Sequence, residues 1–305
     1  MIKHIVLICA CIATLFSCKK ETRDKNEKLN IVTTTSMITD LVKNIGGDLI
    51  EVNGLMGSGV DPHLYKASEG DVSKLIQADV VFYNGLHLEG KLVEVFKKMA
   101  HQNTKTIAIG ESIDKNTLIG SDYFASNYDP HIWFDVANWK ITTTFVIDQL
   151  KTIDPKNAEA FASNGKIYLD QLDKLETTLK NTINTLPKEK RILVTAHDAF
   201  SYFGKAYDFK VVGLQGLSTA TEAGVQDVQK LASFIIDNKV KAIFVESSVP
   251  KRTIEALQAA VTSKNHQVTI GGTLFSDALG NPDTKEGTYI GMFEYNVNTI
   301  INALK

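Results

Sequence analysis

Residues 154–187, DPKNAEAFASNGKIYLDQLDKLETTLKNTINTLP, decide the architecture. Asp154 can cap a helix whose first position suits Pro155. Apolar side chains then recur mainly three or four apart, at Ala160, Phe161, Ile167, Tyr168, Leu172, Leu175, Leu179 and Ile183, until Pro187 stops the run. At about 1.5 Å per residue, such a stretch reaches roughly 45 Å, more than one lobe needs. The spacing predicts one stiff helix bridging two lobes and restricting their movement; a long surface helix within a single domain is the plainer alternative.

Outward from that helix, the pattern is the same on both sides. β-Branched runs at 31–35, 49–55, 80–83 and 106–109 read as strands, separated by periodic stretches at 37–45, 71–77 and 88–99. Beyond residue 188, strands are expected at 192–195, 210–214, 241–245 and 267–274, and helices at 199–207, 225–238, 253–263 and 289–303. Strands alternating with helices make mostly parallel sheets covered on both faces. The chain is therefore α/β, with lobes at 31–153 and 188–305 joined by the helix at 154–187.

The first segment differs in kind. Lys3 and His4 precede an apolar run from Ile5 to Phe16, too short to span a bilayer and patterned like a secretory signal. Ser17 before Cys18, with Leu15 three places ahead of the cysteine, resembles a bacterial lipoprotein cleavage box. We therefore expect residues 1–17 to be removed, and Cys18 to carry a lipid that anchors the exported protein to a bacterial membrane. A plain signal peptide or an uncleaved anchor are the alternatives. Residues 19–30, dense in charge, read as a tether. Cys9 and Cys11 fall in the removed segment, so the folded body has no thiolate, and any metal must be held by nitrogen and oxygen. A net charge of −2 and pI near 6.4 give no basic footprint for nucleic acid.

Three of the seven histidines lie within two residues of an aspartate at apparent element ends: His63 and His131, each in Asp-Pro-His, and His197 before Asp198. Neutral imidazole is the commonest metal ligand. Asp277, after another apolar strand, would supply a carboxylate, and three imidazoles plus a carboxylate complete a transition-metal shell. With Asp61 and Asp129 as helix caps, both imidazoles would sit in a first helical turn whose dipole keeps them neutral. His87 is a reserve ligand, whereas His101 and His266 sit in polar turns. Glu246 is expected to orient a ligand or hold the lobes together, with Arg252 as its partner. Tyr65, Trp133 and Phe200 flank the histidines and would dry the site.

Taken in order, Gly57-Ser58-Gly59-Val60-Asp61-Pro62-His63-Leu64-Tyr65, Asp129-Pro130-His131-Ile132-Trp133, His197-Asp198-Ala199-Phe200-Ser201-Tyr202-Phe203, Phe244-Val245-Glu246-Ser247-Ser248 and Ser276-Asp277-Ala278-Leu279-Gly280 resemble the zinc/manganese-binding lipoprotein family. These are the metal receptors of bacterial ABC importers. The resemblance implies two α/β lobes joined by a long helix, with the ion between them and delivery to a permease and its ATPase, without a chemical step. It places His63 and His131 in the ligand positions of the first lobe, and His197 and Asp277 in those of the second. Manganese-selective relatives often carry glutamate where His197 stands, which favours zinc; the missing histidine-rich loop moves the balance partly back. A monomer is expected. Two rival readings are a secreted zinc hydrolase and a surface adhesin. Against the hydrolase, four protein ligands leave no open position for water, and the chain has no His-Glu-x-x-His helix.

Overall fold

The computed structural model describes residues 28–100, 104–122 and 124–305. The expected leader, Cys18, most of the tether and His101 lie outside the described residues. Strand β1 (Leu29–Thr33) is central in a parallel sheet of order β2-β1-β3-β4, with β2 at Ile50–Gly54, β3 at Val80–Tyr83 and β4 at Lys105–Ala108. Helices α1 (Ser36–Gly46), α2 (Glu69–Gln77) and α3 (Val93–Ala100) link these strands. In the second half, β5 (Ile192–His197) pairs in parallel with β6 (Lys210–Gln215), and β7 (Ala242–Glu246) with β8 (Thr269–Leu274).

Alternating side chains explain why the four-stranded sheet and the two strand pairs of the second half need cover on two faces. In β1, Ile31 joins one apolar cluster and Val32 another; in β7, Phe244 and Val245 divide in the same way. Residues buried on both faces are what a parallel sheet flanked by helices requires. The largest cluster crosses the whole molecule, taking in Ile31 and Phe82 from the first half and Phe203 and Phe244 from the second.

Two long helices carry that cluster from half to half. The first, α4 (Val136–Ile153), fills a stretch to which the sequence reading assigned no element. Its run Ile141-Thr142-Thr143-Thr144 masks the helical period, but the hydroxyls of Thr142 and Thr143 donate back to the Trp139 carbonyl at 2.9 and 2.7 Å, which satisfies them inside the helix. Asp135 caps its start by accepting from the Ala137 N–H at 2.8 Å.

The expected bridging helix is α5, Ala158–Ile183, 26 residues or about 39 Å long. It begins later than its punctuation suggests. Pro155–Asn157 form a 3-10 turn, and Asp154 accepts from the Asn157 side chain rather than capping the helix. Phe161, Tyr168, Leu172, Leu175, Leu179 and Ile183 form its buried face, each aliphatic one contributing ~1.5–3 kcal/mol. Gly165 lets α4 approach closely, because a Cβ there would lie 2.3 Å from the Ile147 side chain. At one end, Asn164 donates to the carbonyl of Ile45; past the other, Arg191 donates to the carbonyls of Ile183, Leu186 and Tyr207. The helix thus touches both halves along its length.

The remaining helices are α6 (Ser201–Tyr207), between β5 and β6, then α7 (Val225–Asp237), α8 (Arg252–Thr262) and the last helix, α9 (Tyr289–Leu304). The halves are fastened by direct bonds as well as by the helix. Tyr289 donates its N–H to Asp40 of α1 and its hydroxyl to the Trp133 carbonyl, while Leu279 donates its N–H to Ser36.

Candidate metal centre

The carboxyl ends of the strands in both halves lead into one crevice, and four side chains converge there. One nitrogen from each of His63, His131 and His197 and one oxygen from Asp277 all lie within 4.8 Å of one another. Nε2 of His63 faces Nε2 of His131 at 3.3 Å; Asp277 Oδ1 is 3.6 Å from His131 Nε2, and its Oδ2 is 3.3 Å from His197 Nε2. A tetrahedral zinc with nitrogen and oxygen ligands at ~2.0–2.1 Å sets its ligand atoms roughly 3.3 Å apart. Every member of the set is buried, and Nε2 of His197 and Oδ1 of Asp277 have no hydrogen-bond partner. Unpaired buried polar atoms are costly, so atoms aimed together at one point imply a missing partner.

Neither Asp-Pro-His starts an α-helix. In each, the aspartate Oδ1 accepts the N–H of the histidine two residues on, at 2.8 Å for Asp61 and 2.9 Å for Asp129, which closes a turn. His63 is followed by more loop, and His131 only by a short 3-10 turn, Ile132–Phe134. The helix-dipole argument therefore fails. Burial does that work at His63, pushing it down to about 3, with the neighbouring imidazoles adding to the effect against Asp277.

Asp129 has a second task that a capping role conceals: its Oδ1 also contacts Nδ1 of His131 at 2.7 Å. With Nδ1–H committed to the carboxylate, Nε2 presents its lone pair to the centre. His197 is held likewise. As the last residue of β5, it donates its N–H to Glu246 Oε1 at 2.8 Å and sets Nδ1 2.5 Å from Glu246 Oε2, Glu246 being the last residue of β7. Burial pushes His197 down, but Glu246 and Asp277 overcome it and hold the ring well above the ordinary value of 6.5. Asp277 shows the converse: burial pushes it up, yet His197, with His63 and His131, keeps it below the usual carboxylate range.

Arg252 does not partner Glu246. It stands exposed at the start of α8 and reaches Glu222 at 3.4 Å, whereas Glu246 is fully buried. His87 is also outside the set, exposed in a left-handed turn at φ 64°. Trp133 packs against His131 with ring centroids 5.3 Å apart and donates Nε1–H to the Ser276 carbonyl. Phe200 stacks on Phe134, and Tyr65 turns to Asp71. Two contacts lay beyond the sequence reading: Ser248, whose hydroxyl lies 3.4 Å from Asp277 Oδ2, and Thr219, whose hydroxyl donates to Asp61 Oδ2 at 2.5 Å.

A family model described as zinc-uptake complex component A, periplasmic, matches residues 31–303. The chain belongs to this family. Members of the zinc-uptake component family are binding proteins rather than enzymes, so the hydrolase reading is set aside. The chain is 47% identical to the manganese-binding lipoprotein MntA of Bacillus subtilis over 283 residues, 93% of this chain and 92% of that protein. It is 45% identical to the zinc-binding protein TroA of Treponema pallidum, covering 97% and 98% of the two chains. The solved structure of that periplasmic zinc binding protein superposes with a TM-score of 0.89 at 47% identity, over 91% of this chain and 99% of that one. A manganese-bound periplasmic metal binding protein from Candidatus Liberibacter asiaticus gives 0.79 at 26% identity, over 92% and 100%. Of these three proteins, two are named for manganese and one for zinc.

Proposed function

We propose that this protein captures a divalent transition metal with His63, His131, His197 and Asp277, and delivers it to the permease and ATPase of an ABC importer while anchored through a lipid on Cys18. It acts as a monomer, with the lobes at 31–153 and 188–305. Convergence of the four donor atoms within 4.8 Å, two of them buried without partners, is the observation that carries the reading. Three nitrogens favour zinc over manganese in the usual order of divalent affinities. Both oxygens of Asp277 approach the ligand nitrogens, so a fifth bond is within reach, which suits manganese as a weaker ligand. Glu246 and Asp129 fix the two most buried imidazoles, and tight capture follows from ligands that need little reorganisation.

Competition dialysis of the metal-free protein with zinc and manganese at neutral pH tests the ordering. Zinc in excess over manganese at equal free concentration supports it, and a clear preference for manganese reverses it. Metal content of alanine variants at each of the four positions tests the ligand set; a variant with undiminished affinity removes that residue.

A further inference from the structure

The four ligands are not equally fastened. The His131 segment is tied to the second half on both sides: Tyr202 of α6 donates its hydroxyl to the Asp129 carbonyl at 3.0 Å, and Trp133 donates to the Ser276 carbonyl, next to Asp277, at 2.9 Å. His197 ends a strand and is gripped by Glu246. His63 lies in the loop 57–66, where Leu64 is 48% exposed; it is in no α-helix or strand, and the loop's tie to α2 is from the Tyr65 hydroxyl to Asp71. Among the described residues, that loop makes one hydrogen bond to the second half, from Thr219 Oγ1 to Asp61 Oδ2.

Asp61 uses its two oxygens for two connections. Oδ1 holds the His63 N–H, and Oδ2 holds Thr219, so the contact to the second half is one carboxylate away from the ligand's backbone. Thr219 sits in the loop 216–224 that follows β6, whose last residue, Gln215, pairs with His197. The pair therefore links the neighbourhoods of His63 and His197 across the crevice. It also borders a cavity of about 520 Å³, lined by Asp61, Leu64, Thr219, Ser248, Val249 and Pro250 among others. Ser248 touches Asp277. Solvent space thus reaches residues bonded to ligands from both halves at this place.

We infer that the Asp61–Thr219 hydrogen bond is a latch that holds His63 on the ion and sets the rate at which metal leaves through the adjoining cavity. Thr219 is a positioning residue: it touches no ligand and acts through Asp61. With the bond broken, loop 57–66 loses its hydrogen bond to the second half, and His63 leaves the ion more often, in brief excursions, while His131, His197 and Asp277 stay in place. The inference rests on the metal reading above.

The test is stopped-flow loss of Co2+ to excess chelator from the full mature protein, comparing wild type, T219V and T219S, with the ligand-field spectrum recorded before mixing. Valine keeps the shape and removes the donor; serine restores it. A hydrogen bond to a charged group is worth enough for an effect of about tenfold or more. T219V is expected to lose metal at least about tenfold faster with an unchanged spectrum, and T219S to match wild type. A T219V rate within twofold of wild type overturns the latch while leaving the metal site intact. Wild-type protein without ligand-field bands overturns the metal reading and the latch with it. Should T219V not fold, T219A answers the same question.

Discussion

His63 and His197 meet at one point and could hardly be more different in surroundings. His197 closes a central strand, has Glu246 at its backbone and ring, and is held cationic by two carboxylates. His63 sits in a surface loop, and burial among other imidazoles keeps it neutral. One half of the molecule thus offers a charged ligand pair, His197 with Asp277, and the other contributes His131, tied across the crevice on both sides, and a neutral His63 on a loop with one hydrogen bond to the second half. The lesson is that preorganisation and access are divided among the ligands rather than between the halves: a tripod of His131, His197 and Asp277 supplies affinity, and the His63 loop supplies the way in and out.

Removing tripod members should break this contrast most visibly. Structural zinc affinities near 12 kcal/mol, shared by four ligands, give ~3 kcal/mol each, or about a hundredfold or more in Kd. H197A and D277A are expected to reach that loss in isothermal titration with zinc, and H63A to lose about tenfold, since its loop is the least fastened of the ligand segments. Equal losses for all four would show that the loop is as rigid as the strand ends. E246Q comes next: it keeps the shape around His197 and removes the charge that holds its proton, and losses of 10–100-fold are usual for such partners.

Proton bookkeeping sharpens the same comparison. A metal can bind His197 only after displacing its proton, so calorimetry in buffers of different ionisation enthalpy should show about one proton released per zinc at pH 7. E246Q should release less. Stability of the metal-free protein should follow the two histidines in opposite directions. His63, depressed from 6.5 to about 3, contributes stability that is present above 6.5 and lost as pH falls toward 3. His197, raised, contributes stability that is present below 6.5 and lost as pH climbs through its higher folded value. Melting temperature against pH should therefore peak near 6.5, and a monotonic rise to pH 9 would falsify the charged state of His197. The smallest effect expected at the site belongs to L175A on α5. It should lower stability by ~2–5 kcal/mol in one cooperative transition, because the shared core unites the halves, while zinc affinity stays within about twofold.

Much of this was legible in the chain because two kinds of signal are strong. The 3.6-residue recurrence from Phe161 to Ile183 shows the long helix, and alternating β-branched runs show the parallel sheets. Helix α4 was hidden because threonines at 142–144 look like strand formers until their hydroxyls fold back on the turn before. Asp-Pro-His reads equally as a helix start or as an Asx turn, since in both the aspartate accepts an N–H just ahead; only the residues after His63, which continue as loop, decide it. Arg252 looked near Glu246 because six residues separate them, but the chain reverses between β7 and α8 and carries the guanidinium to the surface. Thr219 had no local signal, because its importance lies in meeting Asp61, 158 residues away.

The most direct test is X-ray absorption at the zinc edge of loaded, untagged protein. The account predicts three imidazoles and one carboxylate at ~2.0–2.1 Å, and loss of one imidazole in each of H63A, H131A and H197A. A shell with fewer than three imidazoles, or one unchanged when any of these histidines is removed, would contradict it.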